Sequence, residues 1–198
     1  MSEHADADRA GAADGRDVVG VLLAAGGGRR YGMPKILAHQ GRWLAGAVEA
    51  LYVGGCDRVV VTVGAAQPTL PDSVVTVVVP DWAQGLSASV RAGVTAAVRY
   101  PDVAAVLLHV VDTPDVGAQV CRRILDVADA RRSALVRAVY SRVPGHPVYI
   151  GVDHVPSVLA AVSGDRGAGP YLAADPHTIA VECGDLATGV DHDLPDCR

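Results

Sequence analysis

The chain has 198 residues, half of them hydrophobic, a net charge of −5, only 4% aromatic residues and no Phe. That length suits one domain with a substantial core and is short for two. The acidic balance argues against a nucleic-acid partner, because phosphate backbones select basic surfaces, and the lack of rings leaves a core of Val, Leu, Ala and Ile, which favours strands covered by Ala-rich helices.

Residues Met1 to Asp17, with Glu3, Asp6, Asp8 and Asp14 among scattered Ala and Gly, carry too little apolar surface to offset their ordering entropy, so 1–17 is expected to be a disordered tail and 18–198 one domain. The tail has no apolar signal-peptide core, and no run of about 18 apolar residues could span a bilayer. Cys56, Cys121, Cys183 and Cys197 form no C-x-x-C pair and are expected to be free thiols. A cytoplasmic protein without a membrane partner fits both features.

Val18 to Leu23 is a β-branched and aliphatic run of the kind a buried parallel strand needs, and Gly26, Gly27 and Gly28 stop it. Three glycines let backbone N–H groups approach an anion closely, and Arg29, Arg30 and Lys35 add positive charge, so the loop is suited to a polyphosphate. It is neither of two common phosphate loops. A G-x-G-x-x-G frame from Gly26 would need glycine at Tyr31, and a P-loop frame from Gly27 would need Lys and Ser/Thr at Met33 and Pro34.

Trp43, Leu44, Ala47, Val48 and Leu51 then recur at helical spacing, closed by Gly54 and Gly55. Arg58 to Val63 and Val74 to Val79 read as buried central or near-central strands. A turn from Pro80 leads into a helix expected to run to about Val98, with Ser87 and Ser89 in its first turns; their hydroxyls either cap the helix or, with Arg91, meet a ligand. Val103 to Val111 is a further buried strand, followed by Asp112 to Asp115 and a helix to about Val127.

Strand–helix alternation of this kind is solved by a parallel sheet with helices on both faces, whose sites gather at the carboxyl ends of the strands. Gly26 to Lys35 and Asp112 to Asp115 both stand at such ends and are expected to share one crevice. Asp112 could equally cap the next helix. After Ala134 the alternation fails: Leu135 to Val139 reads as a strand, Pro144 to Pro147 interrupts before Val148, and Ser163 to Gly167 is a polar turn, so this half reads as an insert over the sheet.

Leu23-Ala24-Ala25-Gly26-Gly27-Gly28-Arg29-Arg30-Tyr31-Gly32-Met33-Pro34-Lys35 resembles the L-A-A-G-x-x-x-R-x-G-x-x-K signature of nucleotidyltransferases with a GT-A-like fold. The stretches Pro80 to Gly93, Arg142 to Val148 and Ser163 to Ala168 are similar to the molybdenum cofactor cytidylyltransferase branch. The resemblance implies an α/β fold, a Rossmann-like three-layer sandwich with a mainly parallel mixed sheet. It also implies transfer of CMP from CTP to molybdopterin with release of pyrophosphate, Mg²⁺ or Mn²⁺ as cofactor, and a molybdenum hydroxylase as client.

On that resemblance Arg30, Lys35 and Asp112 are the catalytic set. Leu23, Ala24, Ala25, Gly26, Gly27 and Gly28 surround the nucleotide with Arg30 and Lys35, and Gln84, Ser87, Ser89 and Arg91 are further contacts. Ala24-Ala25 is where members using CTP differ from GTP-using relatives with Gly-Gly. Gly145, His146, Asp165 and Arg166 fall on the acceptor side. Asp112 holds the metal with a second carboxylate, Asp193 by motif position and Asp191 as the alternative. Leu194 stands where the family has Thr or Ser, and Val111 where glycine is common before the aspartate. Transfer to a sugar or polyol phosphate, and a non-catalytic nucleotide or pterin carrier, are the rival expectations.

Overall fold

The computed structural model describes residues 16–194. Cys197 and nearly all of the expected tail lie outside them, and Asp17, placed in that tail, opens the first strand.

Among the described residues, seven strands form one sheet. β1 (Asp17–Leu23), β2 (Arg58–Val63), β3 (Val74–Val78) and β4 (Val103–Val110) are all parallel, and β5 (Leu135–Tyr140), β6 (Val143–Gly151) and β7 (Ile179–Glu182) extend the sheet in the order β3-β2-β1-β4-β6-β5-β7. Only β6 runs antiparallel to its neighbours. Helices α1 (Arg42–Gly54) and α3 (Ala118–Ala128) cover one face, and α2 (Leu86–Ala97), α4 (Val155–Ala161) and α5 (Gly169–Ala174) the other. The result is the expected α/β three-layer sandwich.

The strand alternation divides the core. Leu22, Val59, Val61, Ala105, Leu107 and Val136 meet α1 and α3, whereas Val19, Val21, Val60, Val106, Leu108 and Leu135 meet α2, α4 and α5. β1 lies between β2 and β4 and is buried on both faces because helices cover each side of the sheet there, and each such aliphatic side chain contributes roughly 1.5–3 kcal/mol by leaving water. Gly93 lets α2 sit close to this core, since a Cβ there would stand 2.6 Å from Val21 Cγ1.

Three expectations change. Val74 to Val78 is an edge strand with Val75 and Val78 exposed, not a central one. The second half is no insert: β5 and β6 pair with each other, β6 pairs with β4, and a seventh strand, β7, joins β5. Pro144 to Pro147 does not interrupt β6, although the His146–Pro147 peptide is cis. The register with β5 jumps instead, from Arg137↔Val148 to Val139↔Pro144, so a bulge absorbs the residues that cannot continue a regular ladder.

Candidate active site

β1 and β4 end side by side, with Leu23 opposite Val110, and the chain leaves both at the same rim of the sheet. A cleft of about 510 Å³ opens there, lined by Leu23 to Tyr31, Lys35, Trp82 to Leu86, Ser89, Val110 to Asp112, Asp165 and Asp193. The glycine loop and Asp112 therefore do share one crevice.

The loop is held by its own backbone. Gly28 has φ +58°, and a Cβ there would overlap the Met33 carbonyl; Gly32 N–H donates to Gly28 O at 2.8 Å. Gly26 has open space where a Cβ would go, leaving room for a ligand. Ala24 and Ala25 are buried, and both are tied to the end of β2: Ala24 N–H donates to Thr62 Oγ1 at 3.2 Å and Ala65 N–H to Ala25 O at 3.0 Å. Trp82 roofs the loop, with its ring 2.8 Å from the place of a Gly27 Cβ.

Lys35 turns into the cleft just after Pro34. Its Nζ donates to Asp112 Oδ2 at 2.7 Å and to Asp193 Oδ1 at 2.8 Å, and Arg30 reaches the other oxygen of Asp193 at 3.0 Å. Burial opposes the lysine's charge, but the two carboxylates outweigh it and hold its pKa above the ordinary value. The Lys35 hydrogen bond, with the Arg30 charge beyond it, keeps Asp193 below the usual carboxylate range. Asp191 is pushed up, first by burial and then by the negative charge of Asp112 and Asp193. Asp112 is not a helix cap, since Gly117 occupies that position of α3.

The segment carrying Asp191 and Asp193 is pinned across the cleft. Asp115 Oδ2 accepts from Thr188 N–H and from its hydroxyl at 2.6 Å each, His192 N–H donates to Asp112 O at 2.9 Å, and the His192 ring stands edge-on to Trp43 at 5.3 Å.

The donor set suits a hard divalent ion. Asp112 and Asp193 already converge on one cationic group, the Lys35 ammonium, and both offer only oxygen. Among the described residues no group of three or more His, Cys, Asp or Glu has a metal-binding arrangement, but Mg²⁺ commonly uses one or two carboxylates together with substrate phosphates.

The remaining expected residues divide. Gln84, Ser89 and Asp165 line the cleft. Ser87 is buried behind it, its N–H donating to Gly164 O at 2.9 Å, and Gly85 rather than either serine is the cap of α2. Arg91 does not face the cleft: its guanidinium donates to Leu159 O and Val162 O and ties α2 to α4. Gly145 makes room for the Tyr140 ring, which a Cβ would meet at 2.7 Å, and Arg166 is exposed in the turn it closes with Ser163. His146 is half-buried, with Nδ1 3.5 Å from Leu108 O, and burial lowers its pKa. Sequence reasoning missed Trp82 and Tyr31 as cleft walls; an aromatic residue two positions before Gln84 was the available signal for the first.

Residues 20–179 match a family profile described as "MobA-like NTP transferase domain". A protein named nicotine blue oxidoreductase, from Paenarthrobacter nicotinovorans, is 36% identical over 193 residues, 89% of this chain and 92% of that one. The crystal structure of Rv0371c from Mycobacterium tuberculosis H37Rv is similar with a TM-score of 0.73 at 26% identity, covering 90% of this chain and 93% of that one. A structure of Rv0371C in complex with manganese gives 0.68 at 26% identity, covering 88% and 93%.

Proposed function

The chain belongs to the MobA-like NTP transferase domain family, and from that premise we propose that it transfers CMP from CTP to the phosphate of molybdopterin, with release of pyrophosphate. The observation that carries the reading is the cluster of Arg30, Lys35, Asp112 and Asp193 at the mouth of the glycine loop. Two carboxylates held beside a phosphate cradle have a use when a cation joins them to a triphosphate. A simple carrier has no need of them.

In the reaction an oxygen of the acceptor phosphate bonds to the α-phosphorus of CTP. The bond from that phosphorus to the oxygen bridging to the β-phosphate breaks, and the electron pair leaves with pyrophosphate. Two anions must approach while charge builds on the leaving group, so oriented positive charge dominates the catalysis. The loop N–H groups hold the phosphates, while Arg30 and Lys35 neutralise them. Each such oriented group typically contributes about 3–4 kcal/mol. A divalent cation held by Asp112 and Asp193 supplies further charge neutralisation when bound, in line with the manganese in the neighbour's structure. Ala24 and Ala25, fixed against β2, form the floor on which the base is read.

The relative named as an oxidoreductase favours a second reading, in which the cleft holds a redox dinucleotide. The absence of the G-x-G-x-x-G spacing and the presence of Asp112 and Asp193 speak for the first.

Pyrophosphate release, measured with CTP, ATP, GTP and UTP, with and without molybdopterin and Mg²⁺, tests the proposal. Release that selects CTP and requires both additions is expected. Oxidation of NADH or NADPH by an added dye, with no pyrophosphate from any nucleotide, would replace it with the second reading.

A further inference from the structure

Arg137 stands in the middle of β5, where alternation turns Val136, Ala138 and Tyr140 towards α1 and α3 and leaves Arg137 on the side of α2, α4 and α5. It is half-buried, and Gly169 gives it room, with one terminal nitrogen 3.7 Å from where a Cβ of that residue would lie. Its Nε is sealed from solvent without a partner, and among the described residues nothing accepts a hydrogen bond from its guanidinium. Burial holds its pKa below the ordinary arginine value. Other arginines are satisfied: Arg91 and Arg131 donate to carbonyls, and Arg123 grips Asp185. A cation that has lost part of its water and has no counter-charge is costly to keep.

Register places this charge beside the cleft. Arg137 pairs with Val148, Val148 with Leu108, and Leu108 with Val21, all on one sheet face. One step further along that face, Leu23 and Val110 line the cleft floor. From β4 to β5 is two strand spacings, about 10 Å. His146 lies in the bulge between them and senses both ends, its charged form favoured by Asp112 and opposed by Arg137.

We infer that Arg137 anchors the acceptor, its guanidinium taking a negatively charged group of that molecule other than the reacting phosphate, about 10 Å across the sheet from the cleft floor. The inference rests on the transferase reading for the word acceptor, while the anion site itself does not. It assigns the far end of the acceptor to the β5–β6 side of the sheet, a place the glycine loop and the carboxylates do not reach.

Thermal unfolding with and without inorganic phosphate tests it in the wild type, Arg137→Met and Arg30→Met, the last as the control for the donor loop. Phosphate is expected to raise the wild-type Tm, and Arg137→Met to lose a part of that rise that Arg30→Met retains. Without phosphate, Arg137→Met should keep or raise the Tm, because it removes a half-buried charge that has no counter-charge. A full phosphate effect in Arg137→Met, or a Tm lowered by more than about 4 °C, would overturn the inference. In the transfer assay, KM for molybdopterin should rise at least about tenfold with the affinity for CTP unchanged, and Arg137→Lys should recover part of it. An unchanged KM would count against the acceptor role. Absence of transfer with every nucleotide would instead overturn the reading of the reaction, leaving the phosphate result to decide the anion site.

Discussion

Lys35 and Asp193, 158 positions apart in the chain, meet at 2.8 Å, and the same ammonium touches Asp112 at 2.7 Å. The lysine occupies the place where the two carboxylates converge. On the proposed reading, the phosphates of a nucleotide would compete for the lysine and free the carboxylates for a metal, so the resting contact and the working contact of Lys35 would differ.

Lys35→Ala is therefore expected to slow turnover by at least about tenfold, whereas Cys121→Ala, at a thiol of α3 buried against α1 whose pKa burial pushes up to about 12, changes it little. Steady-state pyrophosphate release compares the two. Equal losses would remove Lys35 from the chemistry. In the same variant Mn²⁺ should bind more tightly without nucleotide than in the wild type, because the competing ammonium is gone; electron paramagnetic resonance titration reads this directly.

Asp193→Asn should cost more than Asp191→Asn. Only Asp193 pairs with both Lys35 and Arg30, and removing one oriented electrostatic group from such a site costs on the order of 10²–10³ in kcat. Rates at saturating Mg²⁺ and CTP settle the order, and the reverse order would make Asp191 the second ligand.

Gly28 and Gly26 should separate folding from binding. Gly28→Ala forces a side chain onto φ +58° and into the Met33 carbonyl, and a loss of about 1–3 kcal/mol is expected in urea unfolding. Gly26→Ala meets nothing within 4 Å, so stability should hold while nucleotide affinity, measured by calorimetry, falls.

Glu182 gives a pH signature away from the site. Its carboxylate accepts from Gly184 N–H at 2.8 Å, Ser141 N–H at 3.0 Å and Arg142 N–H at 3.2 Å, and these bonds hold its pKa below the ordinary value. A depressed folded pKa means that the stabilisation is fully present above the unfolded value and disappears as the pH falls through the folded one. Glu182→Gln should narrow the gap in urea midpoint between neutral pH and pH about 3. An unchanged gap would show that these bonds do not distinguish the folded state.

The sheet's first four strands, the glycine loop and the crevice it shares with Asp112 were legible in the sequence because they rest on local patterns: β-branched runs, glycines that end them, and charges at strand ends. What could not be read depends on distant partners. The prolines of β6 look like a break until β4 and β5 flank the strand and a bulge takes up the extra residues. Arg91 lies in a helix turn facing either way, and only the carbonyls of Leu159 and Val162, 68 and 71 positions on, decide which. β7 is four residues long and half-exposed, too short for a period to stand out.

The Asp115–Thr188 staple and the His192–Asp112 bond tie the 188–193 segment to the loop after β4, and Asp193 in turn closes onto Arg30 and Lys35 of the opening loop. Two distant parts of the chain thus complete one cluster. On the proposed reading, undocking of the 188–193 segment would leave the glycine cradle in place but strip the cluster of one of its two paired carboxylates, so a partly unfolded copy would bind without reacting.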